Sequence, residues 1–491
     1  MDDKEFSLQE YDREKIKTAV RLHTPIEITS YTLPKNMEVY IYEVLSEFLE
    51  ECHQEHMTEY LKFCVGELLN NAKKANTKRV YFIEKNLNIN DDLDYNEGMV
   101  FFKDETLLNI DHYLEEQKKA GLYIKLVLQV SDDFITIEIK NNCLLTKFES
   151  QRIQEKLNIA QQYDNIDDVF TKVLDQTEGA GLGIIIIILM LQKIGLSKQN
   201  YKVITTDNET ITKIVLPLNE VIQNDIETIS ETFVETQDTI PILEESFEEL
   251  KKKLNNPLVT SEDLLESFCS DVMMAFLLLS EACKIHKNTV NIHEAISILG
   301  VEKIKEIFTE DNPKIRLISS DKVPALLFNH GTDVAFFAYN LAKNFLSEDE
   351  VSPETIYTAA LIHDIECIVL KAATEEQRKI LQDKCKQNNI QDLSLELFYG
   401  EICHSKNGGA FAEKWGLNPL IIETIKYHND PDRAADNTKK LIACIYLADI
   451  IQYYLANKVE YYQINKNVLQ MFGIDSETKL NYIIKQIKSV M

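Results

Sequence analysis

An unbroken apolar run at residues 184–191, preceded by three glycines at alternate positions, constrains this chain more than any other stretch. The glycines are Gly179, Gly181 and Gly183, and Leu182 separates the last two. Because glycine has no side chain, such a loop lets backbone N–H groups approach a phosphate closely. A helix that follows would add partial positive charge at the same point. A tight turn before a buried helix gives the same pattern, so the stretch alone leaves both interpretations open.

Length, charge and cysteine usage limit the classes of protein to which this chain can belong. A chain of 491 residues implies about two to three domains. The net charge of −28 argues against a nucleic-acid partner, because two polyanions repel each other. No apolar run is long enough to span a membrane, the acidic start lacks a signal segment, and nine cysteines without a C-x-x-C pair are typical of reduced thiols. We therefore expect a cytoplasmic multidomain protein without a nucleic-acid or membrane partner.

Hydrophobic periodicity in the first half alternates between helical and strand patterns. Residues 1–34 are polar and are predicted to form an irregular N-terminal segment. The predicted elements that follow are two helices within 38–69, a strand at 79–83, a polar insertion at 86–98, a helix at 107–119, a hairpin of strands at 123–130 and 134–139, a helix at 147–161, and strands at 201–206 and 210–216.

Three polar residues on the second predicted helix are candidates for phosphate chemistry. Glu67 and Asn71 are four residues apart and share one helix face, with Lys74 close beside them. A carboxylate can orient water, and an amide oxygen can bind Mg²⁺, as a triphosphate site requires. A solvated polar face explains the same spacing and stays open as the alternative.

The order of these motifs resembles the ATP-binding domain shared by histidine kinases, gyrase and related ATPases, the GHKL or HATPase superfamily. The resemblance covers residues 35–218 and implies a two-layer α/β sandwich of the Bergerat type. It implies that Glu67 prepares the attacking group or water, that Asn71 binds Mg²⁺ and that Lys74 assists with phosphates. The residues that would contact ATP phosphates are Gly179, Gly181, Leu182 and Gly183, and residues 144–178 would form a lid over the nucleotide.

One position departs from that family. Its first glycine box begins with an Asp that accepts a hydrogen bond from the adenine amino group, whereas this chain has Asn141, followed by Asn142 and Cys143. An asparagine oxygen can accept the same hydrogen bond without carrying a charge. The chain also lacks a dimerisation helix with a phospho-accepting histidine, so we do not expect an autokinase. Whether ATP is hydrolysed stays open.

The second half reads as helical throughout after an acidic linker at residues 219–239. We expect residues 240–491 to form an all-α domain. Imidazole and carboxylate groups in this half are suitable ligands for a divalent transition metal. Any one histidine on an apolar helix is more often a core residue, but six such groups in this order are not expected by chance. The candidate ligands are His330, His363, Asp364, His404, His428 and Asp449.

This pattern resembles the HD superfamily, whose metal phosphohydrolases carry H…HD…D, and more closely its divergent HDOD subfamily. The resemblance covers residues 240–491 and implies a signalling or scaffolding module. The H-D-x-G-K motif of active cyclic-dinucleotide phosphodiesterases is here His363-Asp364-Ile365-Glu366-Cys367. Asn429 stands where those enzymes have a second histidine. Both departures argue against phosphodiesterase activity, although enough ligands remain for one metal.

The leading hypothesis is a signal-transduction protein in which an ATP- and Mg²⁺-binding domain regulates an HDOD interaction domain. Its expected partners are a nucleotide and a signalling protein, and a homodimer stays open. The alternative is a metal-dependent HD-type phosphohydrolase. A third hypothesis is a serine kinase that acts through Glu67 on a partner protein, as in anti-sigma factors.

Overall fold

The computed structural model describes residues 10–52, 54–131, 134–160, 183–193, 196–217, 232–321, 323, 325–346, 352–387 and 404–490. The chain divides into two compact units, Met1–Leu218 and Asn219–Met491. Three residues predicted to contact phosphate lie outside the described residues: Gly179, Gly181 and Leu182. Most of the predicted lid lies outside them as well.

The first unit combines helices with one antiparallel sheet. Its five strands are hydrogen-bonded in the order β1-β2-β3-β5-β4. The elements are α1 (Glu10–Arg21), β1 (Ile26–Ser30), α2 (Lys35–Glu51), α3 (Thr58–Glu84), α4 (Asp92–Leu108), α5 (Ile110–Lys119), β2 (Ile124–Val130), β3 (Phe134–Asn141), α6 (Lys147–Ala160), α7 (Gly183–Lys193), β4 (Tyr201–Thr205) and β5 (Thr210–Pro217).

The core of this unit lies between one face of the sheet and helices α2, α3 and α7. Alternate residues of β3 are buried, as expected for a strand with one face on the core. Helix α7 is buried along most of its apolar run, including Ile185, Ile187 and Ile188. The prediction of a buried helix directly after the glycines is therefore confirmed.

Several predictions for the first unit are wrong. The segment predicted to be irregular contains α1 and the strand β1, which pairs with β2 through Ile26 and Ile28. Residues 79–83 are not a strand but the last turns of α3, where Val80 and Phe82 pack against aromatic side chains of α4 and α5. A short apolar run does not by itself distinguish a strand from a buried helix.

The predicted polar insertion at residues 86–98 is also wrong, because α4 begins within it. The side chain of Asp91 accepts hydrogen bonds from the backbone N–H groups of Leu93 and Asp94, which is a typical helix N-cap. The buried face of α4 includes Tyr95 and Gly98. A Cβ atom at Gly98 would lie 2.6 Å from Cζ of Phe82, so glycine allows α4 to pack closely on α3.

The second unit is helical, as predicted, except for one short parallel ladder between β6 and β7. Gly300, at φ 70° and ψ 162°, interrupts α11 near its middle, because other residues rarely adopt a positive φ. The elements are β6 (Ile240–Leu243), α8 (Glu244–Leu254), α9 (Ser261–Cys269), α10 (Val272–Ile285), α11 (Ile292–Ile307), β7 (Ile315–Ile318), α12 (Ala325–Phe345), α13 (Pro353–Leu361), α14 (Ile365–Lys371), α15 (Glu375–Gln387), α16 (His404–Lys414), α17 (Pro419–Tyr427), α18 (Lys439–Leu455), α19 (Lys466–Met471) and α20 (Glu477–Lys488).

Candidate functional sites

A cavity of about 220 Å³ in the first unit lies between α3, α6, the start of α7 and the sheet. Three of the predicted nucleotide contacts line it: Asn71, Asn141 and Gly183. Residues that are more than one hundred positions apart in the chain therefore meet at one cavity. Lys74 is exposed and is not among the lining residues, so the structure does not bring it to this site.

Glu67 lies next to the start of α7. The side-chain carboxylate of Glu67 occupies the space that a Cβ atom of Gly183 would need. A larger residue at position 183 would therefore collide with Glu67. The glycine allows the carboxylate and the N-terminus of α7 to approach each other at the edge of the cavity.

Asn141 is held by a buried polar network at the end of β3. The amide nitrogen of Asn141 donates a hydrogen bond of 3.2 Å to Oδ1 of Asn76, which also accepts a contact of 3.2 Å from the Cys143 sulfur. Asn76 in turn donates to the backbone oxygen of Tyr123. Asn76 was not predicted as a site residue, although its place on α3, five residues after Asn71, could have indicated it.

The cavity is also lined by four cationic side chains and one carboxylate: Lys78, Arg79, Arg152, Lys156 and Glu149. The carboxylate of Glu149 lies 2.6 Å from Nη2 of Arg79 and 3.0 Å from Nζ of Lys78. Burial alone would raise the pKa of Glu149, but Arg79 and Lys78 lower it to about 2. Burial, together with the positive charge of Arg152, lowers the pKa of Lys156. Sequence reasoning missed Arg79 because its segment was predicted to be a strand, and it missed the other four because no local pattern indicates which charges meet.

The buried ion pair predicts a pH dependence of stability. Because folding lowers the pKa of Glu149 from 4.5 to about 2, its contribution is present above pH 4.5 and is lost as the pH falls toward 2. We expect Glu149→Gln to remove roughly 2 to 3 kcal/mol from the unfolding free energy of the first unit at neutral pH, and less at pH 3. Urea unfolding followed by circular dichroism measures the difference.

The control for that experiment is Glu155→Gln, an exposed position on the same helix, α6. It should leave the pH dependence unchanged. A loss of stability for Glu149→Gln that is equal at pH 3 and pH 7 would contradict the assigned pKa.

In the second unit, five of the six predicted metal ligands converge. His330 lies on α12, His363 and Asp364 lie between α13 and α14, His428 follows α17, and Asp449 lies on α18. We call these five residues the His/Asp cluster. For His404, which begins α16, the side chain is outside the described residues.

The distances within the His/Asp cluster are those of a compact site. Nε2 of His330 is 3.1 Å from Oδ1 of Asp449, and Nε2 of His363 is 3.9 Å from the same oxygen. Nε2 of His428 is 4.0 Å from Oδ1 of Asp364. One ligand atom each from His330, His363 and Asp364 lies within 4.8 Å of the others.

Backbone carbonyls fix the orientation of two imidazoles. Nδ1 of His363 donates to the oxygen of Ala360 at 2.7 Å, and Nδ1 of His428 donates to the oxygen of Ile425 at 2.8 Å. Because a carbonyl oxygen can only accept, Nδ1 carries the hydrogen and Nε2 keeps its lone pair. This is the arrangement of metal-binding histidines, whose second nitrogen is held by an outer hydrogen bond.

Electrostatics in the cluster favour neutral histidines beside a charged carboxylate. Burial lowers the pKa of His363 and lowers that of His428 to about 4. Burial would raise the pKa of Asp449, but the hydrogen bond that it accepts from His330 lowers it. Neutral imidazoles and an ionised carboxylate are the forms that bind metal.

The donor set fits a divalent cation. Nε2 of His363 is buried and, among the described residues, has no hydrogen-bond partner. A buried nitrogen lone pair that faces carboxylate oxygens is well suited to coordinate a metal ion. His330, His363 and Asp364 would hold the cation, with Asp449 and His428 at its edge.

Comparison with known proteins identifies the family of this chain. A family model described as "HDOD domain" matches residues 240–431. An uncharacterized protein of Treponema pallidum (strain Nichols) is 34% identical over 482 residues, which cover 97% of this chain and 94% of that protein. This chain carries an HDOD domain and belongs to the family of the Treponema pallidum protein. The HDOD match does not include residues 1–239, so the ATP-binding assignment of the first unit stays a prediction.

Solved structures also resemble this chain. The response regulator MmoQ of Methylococcus capsulatus strain Bath is 15% identical, with a TM-score of 0.39, and the match covers 50% of this chain and 94% of that one. A virulence factor of Campylobacter jejuni is 17% identical, with a TM-score of 0.39 and coverage of 53% and 96%. An HDOD domain protein of Geobacter sulfurreducens is 18% identical, with a TM-score of 0.27 and coverage of 55% and 95%. Because these scores lie below 0.5, no property of those proteins is transferred to this chain.

Two features of the HDOD domain were not predicted from the sequence. The carbonyl groups of Ala360 and Ile425 lie three residues before the histidines that they orient. The sequence spacing alone does not predict these hydrogen bonds, because it does not give the direction of the imidazole side chains. Glu366, two residues after Asp364, is 3% exposed.

Within the described part of the chain, no helix is both long and apolar enough to cross a membrane.

Proposed function

We propose that this protein is a nucleotide-responsive signalling protein in which an ATP-binding, histidine-kinase-like first unit regulates the HDOD domain. The observation that carries the proposal is the cavity of the first unit. It combines the predicted contacts Asn71, Asn141 and Gly183 with a lining that is more basic than acidic. In a chain of net charge −28, such a cavity is a local exception, and an anionic ligand explains it.

The lining offers a group for each part of a nucleoside triphosphate. Asn71 supplies an amide oxygen of the kind that binds Mg²⁺ beside phosphates. Burial first, and then repulsion by Arg152, lowers the pKa of Lys156, and a phosphate beside the two cations would relieve that repulsion. The N-terminus of α7 at Gly183 adds partial positive charge.

The apolar part of the cavity lining suits a base. Asn141, at the end of β3, is 5% exposed and lies among the apolar lining residues Ile139 and Tyr201. An amide can accept a hydrogen bond from the adenine amino group or, after rotation, donate one to a different base. Glu67 lies beside Gly183 but is not among the lining residues; in this proposal it would orient the water of any hydrolysis. Signalling requires only that the ATP-bound and ATP-free states differ in conformation.

Calorimetric titration with a non-hydrolysable ATP analogue and Mg²⁺ tests this proposal. We expect micromolar binding by the full chain, with a loss of at least about tenfold in Arg152→Glu because a phosphate contact becomes repulsive. Asn71→Ala should weaken binding with Mg²⁺ but not without it.

Lys118→Ala is the control, because Lys118 is an exposed cation on α5 outside the cavity. Its affinity should equal that of the native chain. If the native chain binds no nucleotide, or if Arg152→Glu binds as tightly as the control, the first unit is not a nucleotide sensor.

A second candidate function is a metal-dependent phosphohydrolase of the HD type. The two Nδ1-anchored imidazoles of the HDOD domain favour it, because they present Nε2 lone pairs beside ionised Asp449. A bound cation would supply Lewis-acid activation of a phosphoester. Against it stand Glu366 and Cys367, which occupy the places of the glycine and lysine in the active phosphodiesterase motif.

Metal content and hydrolysis are measured together to test the second candidate. We expect the full chain, stripped and reloaded with Mn²⁺, Fe²⁺ or Zn²⁺, to retain metal after gel filtration. His363→Gln should lose metal, whereas His286→Gln, an exposed histidine elsewhere, should retain it. Hydrolysis of bis(p-nitrophenyl) phosphate that disappears in Asp449→Asn would support a phosphohydrolase. Bound metal without hydrolysis would leave the site a structural or regulatory one.

A further inference from the structure

Glu366 presents a buried carboxylate that the His/Asp cluster does not use. It lies in the first turn of α14 and is 3% exposed. Both oxygens are buried and, among the described residues, neither has a hydrogen-bond partner. An ionised carboxylate without a donor or cation is strongly disfavoured in a protein interior. Among the described residues, therefore, nothing compensates the charge of Glu366, and a bound cation would do so.

The surroundings of Glu366 favour a cation. One ligand atom each from Asp364, Glu366 and Cys367 lies within 4.8 Å of the others. Gly408 of α16 faces the carboxylate, and a Cβ atom at that residue would lie 2.6 Å from Oε2 of Glu366. The carboxylate oxygen itself lies where that Cβ atom would be, so glycine at position 408 allows α16 to pack closely on Glu366.

We propose that Asp364, Glu366 and Cys367 form a second cation position beside the His/Asp cluster. The proposal rests on the proposed metal site of the HDOD domain, because Asp364 belongs to both groups. Two carboxylates and a thiolate suit a borderline-soft divalent ion such as Zn²⁺ or Fe²⁺. On binding, the Cys367 thiol releases its proton to solvent and the thiolate sulfur coordinates the ion.

Metal stoichiometry of the full chain tests the second position. After stripping and reloading with Zn²⁺, elemental analysis should give two equivalents per native chain. Glu366→Gln should retain one, and the control Glu354→Gln, an exposed residue of α13, should retain two. Loading with Co²⁺ gives a separate readout, because a thiolate–Co²⁺ charge-transfer band should appear in the native chain and disappear in Cys367→Ser.

Failure of the second position is distinguishable from failure of the first. Two results would overturn the second position and leave the His/Asp cluster as a metal site. The first is one equivalent of metal in the native chain that is lost in His363→Gln, and the second is two equivalents retained in Glu366→Gln. No bound metal in the native chain overturns both. Circular dichroism of each variant confirms that a lost equivalent is not due to unfolding.

An independent feature of the first unit is the apolar outer face of α4. Tyr95, Gly98 and Thr106 form its buried side. On the outer side, five large apolar residues are between 61% and 83% exposed: Leu93, Val100, Phe101, Leu107 and Leu108. They recur at seven-residue spacing in two columns that run along the helix on either side of two polar positions, and together they form one broad stripe. Apolar stripes of this extent are typical of interaction surfaces.

Charges within the stripe indicate what covers it. Glu97 and Asp104, both exposed, lie between the two apolar columns by helical geometry. A second copy of this chain would place carboxylates opposite carboxylates. A partner helix with Lys or Arg between its own apolar residues would place opposite charges there. We infer that this stripe, the α4 face, binds a basic amphipathic helix of another protein.

Two synthetic helical peptides test the α4 face. They share one Leu/Phe stripe and differ only in Lys or Glu at the interior positions of that stripe. We expect the native chain to bind the Lys peptide at least about tenfold more tightly than the Glu peptide. Phe101→Asp should abolish binding, even though it makes the surface more acidic. The control is Leu258→Asp, at an exposed apolar residue of the second unit, and it should bind the Lys peptide as the native chain does. The double variant Glu97→Lys, Asp104→Lys should reverse the preference.

Three results would overturn the inference for the α4 face. The first is no binding of the Lys peptide by the native chain. The second is undiminished binding by Phe101→Asp, which would indicate attraction by net charge alone. The third is a dimer of the native chain in sedimentation equilibrium that Phe101→Asp dissociates, which would make a second copy the occupant.

Discussion

A buried carboxylate must face a cation or a hydrogen-bond donor, and the sites of both units are arranged around this requirement. In the first unit, Glu149 is compensated by Arg79 and Lys78, which fixes α6 against α3 at the cavity. In the HDOD domain, Asp449 faces His330 and His363. Glu366 has no such partner among the described residues, and this is why we propose a cation position there.

The fold follows from the sequence where periodicity extends over many residues. The hairpin of β2 and β3, the buried helix α7 and the helical second unit were predicted correctly, because each depends on a long local pattern. The strand predicted at residues 79–83 failed, because its short apolar run fits two structures. In the structure these residues are helical and pack against Tyr95 and Tyr113, which come from later segments of the chain.

The candidate sites also contain residues that the sequence predicts and residues that it does not. Histidines and aspartates of the His/Asp cluster could be named from residue type and order, because metal chemistry restricts the choice of side chains. The pair of Arg79 and Glu149, seventy residues apart, could not be named, since no local pattern indicates which charges meet. Lys74 illustrates the opposite error: its spacing matched the motif, but it is exposed and does not line the cavity.

In the proposed mechanism, nucleotide bound in the first unit changes the state of the HDOD domain. Hydrogen–deuterium exchange of the full chain, with and without a non-hydrolysable ATP analogue and Mg²⁺, tests it directly. We expect slower exchange in α3 and β3 and, in addition, altered exchange in α12–α18 that is absent in Arg152→Glu. Changes confined to the first unit would show that the nucleotide is bound but does not regulate the HDOD domain, which would contradict the claim.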